Sequence, residues 1–198
     1  MLGVVAGLLV AGCGETREAP YGDQVGTDRQ RKDELFASAS DSPITSGTRG
    51  QFLPLAYFPI DEGYRVPAMI VPSEGEPAIE MPTSTGKRRA MRRAGKLQFS
   101  VKGQALTLTA FVDADDRTMA RLFVPFGDQT NGTETYAAGR YLDLDRTVTG
   151  LYDLDFNRAY HPYCFYNPQY DCPYPPRENR LAVPIRSGER TRAAAATH

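Results

Sequence analysis

Lys96-Leu97-Gln98-Phe99-Ser100-Val101-Lys102-Gly103-Gln104-Ala105-Leu106-Thr107-Leu108-Thr109-Ala110-Phe111-Val112 is the stretch whose pattern decides the fold. Leu97, Phe99 and Val101 alternate with polar residues, and so do Leu106, Leu108 and Ala110. A period of two puts each set on one face of an extended strand. A two-residue turn within Lys102-Gly103-Gln104 sets Leu97 opposite Leu108 and Phe99 opposite Leu106, all on one side of the ladder. Moving the turn one residue onward keeps the parity, so the hairpin is specified more firmly than its register.

Outward from the hairpin, further strands are expected at Leu55–Phe58, Tyr64–Val71, Ala78–Met81, Arg121–Phe126, Arg140–Leu144, Gly150–Asp155 and Leu181–Ile185. Eighteen glycines and 15 prolines are scattered along the chain and punctuate these short elements, while 11 tyrosines and nine phenylalanines supply strand-compatible surface. About nine short strands between such turns indicate a mainly β, single-domain barrel or sandwich. One short N-terminal helix is expected over Arg29–Ser38, capped by Asp28, with Leu35 and Phe36 as its large apolar contacts.

The apolar run Leu2–Gly12 is too short for the roughly 20 residues that span a bilayer, but it suits the core of a signal peptide. It ends in Val10-Ala11-Gly12-Cys13, which resembles a bacterial lipobox. The organisation expected is a signal peptide (1–12), a lipidated Cys13 with a flexible tether (13–27), a β-rich domain (28–190) and a disordered tail (191–198). No basic residue precedes the apolar run, so the expected start lies upstream of Met1; a buried apolar element is the competing reading. The expected address is the cell membrane, lipid-anchored and facing the periplasm or exterior, with the membrane as partner. A net charge of -1 offers no global field for nucleic acid, which is not expected as a partner.

With Cys13 acylated, Cys164 and Cys172 remain. Outside the cytosol such a pair reads as a disulfide, worth about 2.5 kcal/mol in the chain-entropy model. Two free structural thiols, or a zinc site with His161, are the alternatives; zinc lacks a fourth ligand and a closely spaced Cys pair.

The C-terminal half carries an ordered series of motifs: Leu122-Phe123-Val124-Pro125-Phe126, Asp128, Thr130, Gly132, Glu134-Thr135-Tyr136, Gly139-Arg140-Tyr141-Leu142, Asp155-Phe156-Asn157-Arg158-Ala159-Tyr160, Pro162-Tyr163-Cys164, Cys172-Pro173, Pro175-Pro176 and Glu178-Asn179-Arg180-Leu181. Together with Thr83-Ser84-Thr85-Gly86 and the Gly95, Leu97, Phe99 strand, this series resembles the bacterial and archaeal domain of unknown function 1684 family, over Asp28 to Glu189. The resemblance implies no reaction, cofactor or catalytic residue. It implies asparagine at position 161, which makes His161 a departure and weighs against a catalytic or metal role there.

Asp128, Glu134, Arg140, Asp155, Asn157, Tyr160, Glu178 and Asn179 form the candidate pocket. Arg140 is expected to pair with Glu134 or Asp155, either to orient a ligand or to tie the Gly127–Gly139 loop to the sheet. An enzymatic version would use Asp155 or Glu178 as general base. No Gly-x-Ser-x-Gly, phosphate-loop or His-Glu-x-x-His motif is present, and neither a metal nor a cofactor is expected. Lys87-Arg88-Arg89, Arg92-Arg93 and Lys96 read as charges on an edge strand, the alternative being an anionic ligand. Tyr160, Tyr163, Tyr166, Tyr170 and Tyr174 either cover the cysteine loop or offer stacking surface for a sugar or peptide. The expected function is a ligand-binding or structural module, for a small molecule or an envelope component. A carboxylate-dependent hydrolase or transferase and a protein-interaction subunit of an envelope complex are the alternatives.

Overall fold

The computed structural model describes residues 18–192. In chain order, it comprises helices α1 (Tyr21–Ser38) and α2 (Arg49–Phe52), strands β1 (Arg65–Pro72), β2 (Ile79–Pro82), β3 (Arg88–Val101), β4 (Gln104–Asp113), β5 (Arg121–Phe126), β6 (Arg140–Asp145) and β7 (Leu151–Asp155), and helix α3 (Tyr163–Tyr166). The hairpin forms between β3 and β4 in the first of its two registers, with Leu97 opposite Leu108 and Phe99 opposite Leu106. Lys102 and Gly103 both take positive φ, 48° and 80°. That is the geometry of a two-residue turn whose twist matches its strands.

Seven antiparallel strands make one sheet in the order β6-β5-β4-β3-β1-β7, with β2 also paired to β3. The sheet curls until it is nearly closed, like a barrel. Its inner face follows the period of two: Leu97 and Phe99, Leu108 and Ala110, Leu122 and Val124, Leu142, and Leu154 form one core, plugged by Phe156, Leu181 and Ile185. A bulge at Arg93/Gly95 interrupts the β3–β4 ladder. A Cβ on Gly95 would lie 2.6 Å from the Val71 carbonyl oxygen, so only glycine lets β1 approach this closely.

Two expected strands are not strands. Leu55–Phe58 makes a single bridge, Tyr57 to Glu189, and Leu181–Ile185 lies alongside the bridge from Gly127 to Arg180. Both bond to neighbouring loops instead: Phe58 N–H donates to Gly188 O, and Leu181 N–H to Gly127 O. Arg88, Arg89, Arg92, Arg93 and Lys96 lie in β3, an interior strand with partners on both sides, and Lys87 just precedes it, so the edge-strand reading is corrected.

The helix starts at Tyr21, eight residues before the expected Arg29, so the residues from Tyr21 to Thr27 are not tether. Gly22 and Gly26 weaken the local helical signal, and tertiary contacts override it. Val25 and Phe36 are buried, Tyr21 Oη donates to Asp155 Oδ1 at 2.8 Å, and Arg29 reaches the carbonyls of Phe58 and Asn157. At the other end, Thr191 N–H donates to Glu134 O and Arg192 to Pro54 O, which holds the first two residues of the expected tail. The signal peptide, Cys13 and residues 193–198 lie outside the described residues. Among the described residues, no helix is long and apolar enough to cross a membrane.

Candidate functional site

The eight predicted pocket residues do not converge on one cavity. Arg140 is fully buried and donates to Asp128 Oδ2 at 2.9 Å and to the carbonyls of Ile185, Ser187 and Glu189. Its carboxylate partner is therefore Asp128, and not the expected Glu134 or Asp155. Asp128 also accepts from Thr130 and from Ile185 N–H, which closes the Gly127–Gly139 loop on the C-terminal segment. Asn157 bonds both backbone groups of Asp61 and accepts from Ser187 Oγ. Asn179 bonds both backbone groups of Thr109 and donates to Pro125 O. These four residues satisfy loop backbone against the sheet, as buried polar groups must.

The carboxylates expected as general bases are also engaged. Asp155 accepts from Tyr21, Asn157 N–H and Arg158, while Glu178 receives Arg93 through two nitrogens at 2.9 and 3.3 Å. Glu134 pairs with Arg186 at the surface. In the basic stretch, Arg89 grips Asp113 through two nitrogens, and Arg92 caps the carbonyls of Ala114 and Asp116.

Sequence reasoning missed Glu189. It is fully buried and receives Lys32 Nζ at 2.6 Å, Tyr166 Oη at 2.7 Å and His161 N–H at 2.7 Å. Burial works to raise its pKa, but Lys32 and the donors around it prevail and hold it below the ordinary carboxylate value. His161 is buried as well, and burial pulls its pKa down to about 4. Its Nε2 accepts the Tyr136 N–H, which assigns the neutral ring with its proton on Nδ1, towards Glu189. No group of three or more His, Cys, Asp or Glu side chains converges as a metal site among the described residues.

Cys164 and Cys172 are free thiols, where a disulfide was expected. The Cys172 sulfur instead accepts the Cys164 N–H at 3.2 Å, at the start of α3. Ser84 Oγ accepts the Cys172 N–H, and Ser84 N–H donates to Cys172 O. Both cysteines pack against Tyr141 on the outer face of β6.

Of the eight residues, only Tyr160 lines the tyrosine-rich cleft on the outer face of the sheet. This is an open cleft of about 650 Å³ between the outer face of β3–β6 and the loop from Tyr160 to Pro173. Met91 and Phe123 contribute its apolar floor, and Tyr141, Tyr160, Tyr163 and Tyr170 its walls. The rings meet edge to face: Tyr163 with Tyr170 at 5.2 Å and Phe123 with Tyr141 at 4.7 Å. Tyr160 Oη donates to Asp143, and Tyr141 Oη to Pro173 O. Lys32, Arg89 and Arg121 face Asp113, Asp116, Asp143 and Asp171 around the cleft. Arg89 with Asp113 and Arg121 with Asp143 are ion pairs and Lys32 is held by Glu189, which leaves Asp116 and Asp171 as the carboxylates of the lining outside those pairs.

The family model described as protein of unknown function (DUF1684) matches residues 50–190. The solution NMR structure of an uncharacterized protein from Haloarcula marismortui is similar at 34% sequence identity with a TM-score of 0.67. The likeness covers 89% of this chain and 95% of that one. No curated protein matches the chain.

Proposed function

The chain belongs to the DUF1684 family of proteins of unknown function, and from that starting point we propose that it is a binding module for a small, neutral, polar molecule with a ring, of the saccharide class, held in the tyrosine-lined cleft. One observation carries the reading: a cleft of about 650 Å³ with four tyrosines in its lining and most of the charges around it held in ion pairs. That volume suits a small ligand, and such sites combine apolar walls with a few polar groups that fix orientation. Tyrosine rings can cover the C–H face of a sugar, while Asp143 and Asp116 can accept its hydroxyls. Binding is favoured over carboxylate catalysis because Asp155 and Glu178 are engaged by other side chains and do not line the cleft.

Isothermal titration calorimetry with glucose, N-acetylglucosamine and maltose tests it. At least one should bind with a dissociation constant of about 1 mM or tighter, and Tyr163→Ala should weaken that binding about tenfold. Absence of binding by all three, or binding indifferent to Tyr163→Ala and Tyr170→Ala, overturns it.

As to address, our reading keeps the domain tethered to a membrane through lipidated Cys13, with the cleft presented outside the cytosol. The lipobox-like Val10-Ala11-Gly12-Cys13 supports it, and two acyl chains suffice for stable anchoring.

A further inference from the structure

We propose that Cys164 and Cys172 form a thiol–disulfide exchange site in the wall of the cleft, with low-molecular-weight disulfides as its co-substrate. The fold packs the two cysteines side by side as free thiols. Helix α3 presents Cys164, and the returning segment presents Cys172, whose sulfur lies 3.2 Å from the Cys164 nitrogen. The backbone of Cys172 is pinned on both sides by Ser84. Cys172 lines the cleft beside Tyr141, Tyr170 and Pro173, and each cysteine keeps a sliver of exposed surface, 8% for Cys164 and 7% for Cys172.

An inert structural cysteine sits among apolar groups that raise its pKa. Here the Cys164 thiol is drawn down to about 7, chiefly by its hydrogen-bonding neighbour Cys172 and against the opposing effect of burial. Cys172 is pushed the other way, first by its hydrogen bond with Cys164 and then by burial. Near neutral pH the pair therefore gives up a first proton more readily than an ordinary thiol, and an attacking thiol works best when its pKa is close to the ambient pH.

The exchange balances. The Cys164 thiolate attacks one sulfur of RSSR, forming a mixed disulfide and expelling RS⁻. That thiolate takes the proton of Cys172, whose sulfur then attacks the Cys164 sulfur, closes the Cys164–Cys172 bond and expels a second RS⁻. Water protonates the second thiolate, which balances the proton Cys164 had released. Two protein thiols are oxidised and one external disulfide is reduced to two thiols.

The test uses the full chain carrying Cys13→Ser, equilibrated in mixtures of oxidised and reduced glutathione, trapped with a maleimide and weighed by mass spectrometry. As oxidised glutathione rises, the folded protein should pass from two trapped thiols to none, and dithiothreitol should reverse this without unfolding. With Cys172→Ser added, Cys164 should accumulate mixed disulfide at a rate that rises through pH about 7. With Cys164→Ser added, Cys172 should react at least tenfold more slowly at pH 7. The proposal is overturned if both thiols persist in excess oxidised glutathione, if closure occurs only after denaturation, if a bond once formed resists dithiothreitol in the folded chain, or if only mixed disulfides appear.

Discussion

Arg140 donates to one carboxylate and three backbone carbonyls with no exposed surface. Arg140→Ala should therefore destabilise the domain by about 3–5 kcal/mol, as breaking a buried pair from one side does. Urea denaturation will measure this, and Arg140→Lys should rescue little of it because one ammonium cannot reproduce the planar fork. The arginine was legible in the sequence, but its partner was not. Glu134 and Asp155 were equally plausible on spacing, and burial chose Asp128. Glu189 left no local signal, because its partners Lys32, His161 and Tyr166 are brought together by the fold. His161 supplies a second prediction. Its folded pKa of about 4 lies below the ordinary 6.5, so the unfolded chain binds a proton that the folded chain refuses. Stability should be full above pH 6.5 and fall as pH drops towards 4, by roughly 3 kcal/mol across that window. Glu189, with its pKa below 4.5, extends the loss only at lower pH. His161→Asn should flatten the window, and denaturation midpoints measured at stepped pH will show whether it does.

At the scale of elements, the β3–β4 hairpin was readable because alternation and turn spacing are local properties, and β5 was located for the same reason. The extent of β3 was not readable: its N-terminal half is rich in arginine, and it is a strand because β2 and β4 supply ladders on both sides. The start of α1 was equally hidden, since the burial of Val25 depends on what the rest of the chain places beneath it. Two glycines in this region separate conformational strain from close approach. At Gly103 a Cβ meets nothing within 4 Å, so Gly103→Ala carries only the positive-φ penalty, about 1 kcal/mol. At Gly95 a Cβ would also meet Ile70 Cγ1, at 2.7 Å, so Gly95→Ala must push two strands apart and should cost about 3 kcal/mol. Equal losses in parallel denaturation curves would refute the close packing of β1 at the bulge.

The whole molecule is larger than the stretch that the family model matches. Helix α1 precedes residue 50, yet it buries Val25 and Phe36 and supplies the Lys32 that neutralises Glu189. A chain beginning at Glu18 should unfold cooperatively. One beginning at Arg49 should lose its cooperative transition, because the missing burial and the unpaired carboxylate together cost about 5 kcal/mol or more, comparable with the whole stability of a small domain. Circular dichroism melts of the two will decide. The anchor belongs to this scale as well: Cys13→Ser should move the protein from the membrane fraction to the soluble fraction, and unchanged retention would sink that reading. The pocket was the least legible feature, because the cleft is assembled from the outward faces of β3–β6 and a loop that covers them. Sequence motifs pointed instead to the residues that hold those parts in place.

The cleft also has a photophysical consequence. The chain contains no tryptophan, and four of its 11 tyrosines line this one cavity. Its near-ultraviolet emission is therefore tyrosine fluorescence unmasked by indole, with a large share arising where a ligand would sit. A molecule entering the cleft, or a sulfur–sulfur bond closing in its wall, would change that emission without any label.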